Sequence, residues 1–193
     1  MKKLLSAFAV LSFALPLSAA EDKGNANVLF SSKLVSDKDA KGLSGSSATY
    51  SKNRNGFLQR SGSLRTSPGG RVSTYRKNKY GFEEKTGSLR PSSNRGRIDV
   101  FERNKYGFEE RVGSMRTKRK DSPNLDVYRK NKYGFEEKAG SIRRVSDKRK
   151  DVYEKNKYGF EERVGSLRKN SSGGFDLYRK NKYGFEEKVG SIK

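Results

Sequence analysis

The residues able to do chemistry in this chain come in ladders rather than in one place. One row of cations reads Arg54, Lys79, Lys105, Lys132, Lys157 and Lys182, and a second reads Arg65, Arg90, Arg116, Arg143, Arg168 and Lys193. Cations interleaved with Tyr and Phe suit a polyanion, held by charge contact and by stacking on ring faces. Paired acids recur as well: Glu83-Glu84, Glu109-Glu110, Glu136-Glu137, Glu161-Glu162 and Glu186-Glu187. An enzyme needs one asymmetric site whose carboxyls are tuned apart. Equal copies beside Lys or Arg instead describe ion-paired strand residues, with neighbours on opposite faces of the strand. The chain contains neither His nor Cys, which removes the commonest general base, the commonest metal ligand and any thiolate site. The ladders therefore argue for binding or structure, and against catalysis, metals and cofactors.

What positions these rows is a repeat. Near-copies of Tyr128-Arg-Lys-Asn-Lys-Tyr-Gly-Phe-Glu-Glu-Lys-Ala-Gly-Ser-Ile142 begin at Tyr50, Tyr75, Phe101, Tyr128, Tyr153 and Tyr178, at intervals of 25, 26, 27, 25 and 25 residues. A fixed period of this size marks an architecture in which one unit cannot cover its apolar face alone. With the opening aromatic as position 0, position 6 is always Gly, position 7 always Phe and position 12 always Gly, followed by Ser and then Leu, Met or Ile. Gly at 6 between two short runs marks a turn. Asn55-Gly56 in the first copy suggests a type I′ hairpin; Tyr at position 5 in the others suggests a type I turn with Gly as the bulge residue. A helical alternative, with Phe at 7 and Val at 11 four apart, is opposed by Gly at both 6 and 12.

A two-residue loop at positions 5 and 6 would pair 0 with 11, 1 with 10 and 2 with 9. Tyr, Phe and Val at 0, 7 and 11 would then share an apolar face, opposite the charged positions 1, 8 and 10. A bulge at the second Gly would bring the residue at 14 back to the apolar side. Glu102 and Glu154 accompany Arg111 and Arg163, whereas Arg76, Arg129 and Arg179 accompany Lys85, Lys138 and Lys188. That alternation suggests a duplicated two-repeat unit. The expected fold class is all-β: six tandem β-hairpin repeats of about 25 residues, arranged radially or as a β-solenoid. The last copy runs undegraded to the end of the chain, which calls for a ring closing on the first repeat or for another molecule adding there.

Residues 1–20 have the pattern of a secretory signal. Lys2 and Lys3 precede an apolar stretch from Leu4 to Leu17, and Ser18-Ala19-Ala20 forms the cleavage site. No other stretch is apolar enough to span a membrane as a helix. Residues 21–49 are Ser-, Gly-, Lys- and Asp-rich and are expected to be a flexible mature N-terminus, with Val28 to Phe30 available as an extra strand; residues 50–193 form the repeat domain. Export across a bacterial inner membrane follows, to the periplasm, outer surface or extracellular space. Of the formal +22, two charges leave with the signal, so the mature chain carries +20, and only 31% of all residues are hydrophobic. This composition does not provide for a conventional globular core, and it is also compatible with disorder.

Stacked at strand spacing, like charges repel by about 0.9 kcal/mol per neighbouring pair even in water. Both cation rows would then need a polyanion along them or a splayed arrangement. The expected function is a non-enzymatic structural and binding protein of the cell envelope or extracellular matrix. Its expected partners are anionic polysaccharide, lipopolysaccharide or extracellular DNA bound without base reading. The alternatives are a self-associating, amyloid-like surface fibre subunit and, from basic pairs such as Arg143-Arg144, a precursor of secreted peptides. The run Tyr-x-Lys-Asn-x-Tyr-Gly-Phe…Gly-Ser-Ile resembles short bacterial β-hairpin repeats of the form Tyr-x-x-Asn-Gly…Gly-x-Ile, found in β-flower-like domains. More distantly, it resembles curlin repeats, although the Gln and Asn ladders of curlins are missing. The first likeness implies an all-β binding or structural module with no catalytic residue.

Overall fold

The computed structural model describes residues 45–193 apart from Arg95, Lys120 and Asp121. The signal, and the candidate strand at Val28 to Phe30, lie outside the described residues. Twelve antiparallel strands form one closed barrel in which each strand pairs with its chain neighbours and β1 pairs with β12. They are β1 (Ser46–Lys52), β2 (Leu58–Thr66), β3 (Val72–Lys77), β4 (Glu83–Pro91), β5 (Arg97–Arg103), β6 (Glu109–Thr117), β7 (Leu125–Lys130), β8 (Glu136–Ser146), β9 (Arg149–Lys155), β10 (Glu161–Lys169), β11 (Phe175–Lys180) and β12 (Glu186–Ile192). The hairpin repeats are thus present, but they close into a barrel and do not stack as a solenoid. β12 is covered by β1, with reciprocal backbone hydrogen bonds between Ala48 and Lys193 at 2.8 and 3.0 Å. The exposed end that motivated a fibre is therefore absent. β1 opens at Ser46, so residues 46–49, expected to be flexible, are strand.

The turn departs from the two-residue loop expected from the sequence. In every copy the Gly at position 6 donates to the carbonyl of the Asn at position 3, and that Asn's N–H donates to the carbonyl of Phe at 7, as in Gly134 to Asn131 (3.0 Å) and Asn131 to Phe135 (2.8 Å). Gly134 has φ 85° and Gly56 φ 81°. This is a three-residue loop with a left-handed Gly, and the first copy adopts it like the rest. The Asn side chain locks it: Asn131 Oδ1 accepts from the N–H of Tyr133 (2.9 Å) and of Phe135 (3.1 Å). The longer loop moves the register by one residue. Position 0 pairs with 10, 1 with 9 and 2 with 8, as in Tyr128↔Lys138, Arg129↔Glu137 and Lys130↔Glu136. A slip of one residue turns every side chain to the other face, so the aromatic at 0 lies outside and position 1 points inward. Position 7 falls beside the turn, and its Phe is not part of an apolar face.

Position 11 is the bulge residue. Val127 pairs with Gly140 while Tyr128 pairs with Lys138, leaving Ala139 extra. The bulge sits one residue before the expected Gly and has the expected effect: Leu64, Leu89, Met115, Ile142, Leu167 and Ile192 at position 14 are all buried. They meet Val72, Ile98, Leu125 and Phe175, together with Val100, Val127, Val152 and Leu177, from the strands entering the second to sixth hairpins. A hydrophobic core therefore exists despite the composition. Each repeat supplies only one to three buried aliphatic residues, and six repeats fill one shared interior.

The join between repeats is the same at every step. Position 12 of one copy faces position 1 of the next: Gly62↔Arg76, Gly87↔Glu102, Gly113↔Arg129, Gly140↔Glu154, Gly165↔Arg179 and Gly190↔Ser51. Six equal steps that return to the first strand leave no net translation along the axis. The six Asn-Gly turns therefore lie level at one end, whatever the linkers at the other end contain. The second Gly is required by close approach. A Cβ at Gly140 would lie 2.1 Å from the carbonyl oxygen of Tyr153, and one at Gly113 would lie 2.2 Å from that of Tyr128. Because the obstacle is backbone, Gly140→Ala is expected to destabilise the barrel by roughly 3 kcal/mol, the upper part of the overpacking range. Denaturant unfolding measures it, and Gly69→Ala, which meets nothing within 4 Å, is the control and should be near neutral.

Candidate anion-binding interface

The two cation rows occupy different places and have different surroundings. Arg65, Arg90, Arg116, Arg143, Arg168 and Lys193 lie on the outer wall. Each caps the opening aromatic of the next repeat: Arg65 over Tyr75 at 4.1 Å, Arg90 over Phe101 at 4.0 Å, Arg116 over Tyr128 at 4.4 Å, Arg143 over Tyr153 at 4.3 Å, Arg168 over Tyr178 at 4.2 Å and Lys193 over Tyr50 at 5.4 Å. The same arginines pair with the first acid of the next Glu-Glu: Arg65 with Glu83 at 3.0 Å, then Arg90 with Glu109, Arg116 with Glu136, Arg143 with Glu161 and Arg168 with Glu186. Position 10 joins from the same side, as Arg60 to Glu83 (3.0 Å), Lys85 to Glu109 (3.0 Å) and Arg163 to Glu186 (2.6 Å). Like charges do not face one another here, because a carboxylate separates them. This row needs no polyanion to hold it together.

The paired acids divide between the two faces, as strand residues must. The first joins the outer belt. The second reaches back to the turn Asn, as Asn131 Nδ2 to Glu137 (2.6 Å) and Asn181 Nδ2 to Glu187 (2.6 Å). Aspartates entering the hairpin complete the belt: Asp99 with Arg97 and Arg111 (both 2.9 Å), Asp126 with Lys138 (2.9 Å) and Asp176 with Lys188 (2.7 Å). Among the described residues, no group of His, Cys, Asp and Glu could hold a metal, and no helix is long and apolar enough to cross a membrane. The strands carry charge outward and aliphatic residues inward, the reverse of a lipid-embedded barrel.

The belt has one gap. In the first copy its acid is replaced by Leu58, at the seam where β12 meets β1. Half-exposed ion pairs of this kind are worth about 0–1 kcal/mol each. Leu58→Glu, facing Lys188 and Lys193, is therefore expected to raise stability by about 0.5 kcal/mol, read as a higher denaturation midpoint whose gain disappears at high salt.

Inside the barrel, position 1 forms a ring that reads Ser51, Arg76, Glu102, Arg129, Glu154, Arg179. These residues continue the inward alternation of Val72 and Thr74, Val100, Val127, Val152 and Leu177. The correlated change of positions 1 and 10 is thus not a cross-strand pair, since one points inward and the other outward. At position 1 alone the change alternates charge around the ring, and the matching Lys/Arg change at position 10 has no structural explanation. Burial is the largest influence on the Glu154 carboxyl and raises it above the usual range, against the lowering effect of Arg179 and Arg129. In the belt, burial also acts to raise Glu109. There, hydrogen bonds from Lys85 and Ser88 and the charges of Lys85 and Arg90 outweigh it and hold the carboxyl below its usual value.

Opposite pH dependences follow. Glu109, being depressed, stabilises above the ordinary carboxylate range, and this is lost as pH falls through its folded value. Glu154, being raised, is protonated in the fold where the unfolded chain has ionised, so its cost appears as pH rises through that window and is complete above it. At neutral pH, Glu109→Gln should lower the melting temperature and Glu154→Gln should raise it. Both differences should shrink on acidification, which thermal melts across a pH series would check.

The other row is the accessible one. Arg54, Lys79, Lys105, Lys132, Lys157 and Lys182 sit on the six level turns and are exposed. Lys79, Lys105, Lys132, Lys157 and Lys182 each place Nζ 4.7–4.8 Å above the ring of the next residue, Tyr80, Tyr106, Tyr133, Tyr158 and Tyr183. Those tyrosines are 70–72% exposed, and Phe57, Phe82, Phe108, Phe135, Phe160 and Phe185 are 69–72% exposed. One end of the barrel is thus a crown of cations and open aromatic rings on stiff turns. The open rings were not foreseen from the sequence. The signal that reveals them is the Asn four residues before each Phe, which sets a longer loop. No protein-family model and no curated protein matches the chain.

Proposed function

We propose that this is a non-enzymatic, exported structural and binding protein of the bacterial envelope or extracellular matrix, which holds anionic polymers at the crown of the barrel. The observation that carries this reading is the six-fold repetition of an exposed cation on turns fixed at one level, five of the six over an open tyrosine ring. A cation there contacts phosphate, sulfate or carboxylate, and the tyrosine ring beneath each lysine supplies stacking surface that tolerates varied partners. The outer row of arginines serves the wall and takes no part in binding. Acidic polysaccharide, lipopolysaccharide and released DNA remain the partner classes, each recognised by backbone charge. The closed wall, with its charge satisfied by Glu and Asp, serves as a rigid mount.

Retention on immobilised lipopolysaccharide or dextran sulfate should fall steeply as salt rises. Replacing Lys79, Lys105, Lys132, Lys157 and Lys182 by Gln should leave the melting temperature close to native. The salt dependence should flatten by roughly 0.7 in log-log slope for each lysine that had engaged an anionic group, taking single-stranded nucleic acid as the guide. Arg90→Gln should lower stability and leave that slope unchanged. Retention insensitive to salt, or equal in the five-site variant, would overturn the proposal.

A further inference from the structure

The phenylalanine at position 7 has no structural reason to be a phenylalanine. Its backbone closes the turn, accepting from the Asn N–H and donating to the Asn Oδ1, and any residue can make those bonds. Its ring contributes nothing to the core, since it is about 70% exposed in all six copies. The Asn, Gly, Gly and Ser at positions 3, 6, 12 and 13 are also invariant, whereas several other positions change. The acid pair becomes Leu58-Gln59, position 5 becomes Asn55, and position 11 is Ser, Thr, Val or Ala. An open Phe kept at every turn of a chain that tolerates such changes points to an apolar partner at that end.

Two further observations narrow the partner. The equal register at every step sets the six turns level, so the open rings form a flat ring, of which a straight polymer segment meets only part. A planar surface meets all six turns at once. Five of the six turns also carry a lysine over a tyrosine ring, and the first carries Arg54, so the surface is anionic at the depth of the cations and apolar at the depth of the phenylalanines. Aromatic rings with adjacent Lys are the residues that settle at a membrane–water interface and at anionic headgroups.

We infer that the crown docks flat on an anionic lipid surface, with its phenylalanine rings entering the acyl boundary and its lysines on headgroup phosphates. This rests on the crown being the binding face and names its partner. The barrel lies on the membrane and does not cross it, because its wall is charged.

The test is co-sedimentation of the full chain with vesicles of phosphatidylcholine containing phosphatidylglycerol, compared with phosphatidylcholine alone, at low and high salt. Binding is expected to the anionic vesicles, weakened by salt. Phe82→Ser, Phe108→Ser and Phe135→Ser combined should melt near the native temperature and keep native retention on dextran sulfate. The combined variant should bind vesicles at least about tenfold more weakly, since each ring withdrawn from the interface forfeits apolar burial. Native retention on dextran sulfate with no preference for anionic vesicles overturns the lipid surface and leaves the polymer reading standing. Equal vesicle binding by the triple variant overturns the role of the rings. A loss of dextran sulfate retention in the triple variant assigns the rings to the polymer and also overturns the inference. Failure on both supports overturns the inference together with the reading it rests on.

Discussion

The contact on which the molecule depends is the approach of a glycine to a backbone carbonyl. At position 12 of each repeat the chain passes so close to the opening carbonyl of the next that a methyl group has no room; Gly62 against Tyr75 leaves 2.0 Å. That approach sets position 12 beside position 1 of the following copy, and because all six joins are alike, the array returns to its start. A small offset at each join would accumulate over six steps into an open spiral with two bare edges. Closure is therefore a consequence of repeating one tight contact, and it removes the edge strands that otherwise invite association.

Charge follows the same geometry. A chain carrying a large net positive charge is expected to repel itself when compacted. The barrel moderates this by placing a carboxylate between successive cations on the outer wall and by alternating Arg and Glu in the ring inside. Arg116 illustrates the economy of the outer wall, since it caps the Tyr128 ring at 4.4 Å and also pairs with Glu136. Cation–ring contacts at such exposure contribute about 0.5–1 kcal/mol each, and they join adjacent repeats rather than residues of one hairpin. The cations facing solvent at the turns are thereby concentrated at one end, beside rings that the fold does not use.

This separation of duties is what makes a functional reading possible for a protein built from copies. Residues that serve the barrel are inside or in the belt, and their partners are within the molecule. At the turns the Asn side chain satisfies the local N–H groups, so the rings of Phe take no part in holding the loop. A rigid mount with an unengaged, level face is the arrangement expected of a docking module.

By itself, the amino-acid sequence determined the unit and its count: Gly, Phe and Gly at fixed positions recur six times and specify six hairpins, all-β. These are local properties, set by backbone freedom and residue type. It also contained the loop length, since Asn131 stands four residues before Phe135, but a competing two-residue turn satisfied the same Gly. That single residue of register decided which face each side chain took, so Tyr128 was expected inside and lies outside, and Phe135 was expected to be packed and lies open. Only the tertiary structure decided closure over stacking, because closure depends on the sum of six joins and no single join reveals it. It also decided the fate of the two cation rows. They are indistinguishable as sequence, yet one lies beside the next repeat's glutamates and the other at the free end of the turns, and that difference exists only once neighbouring copies are brought side by side.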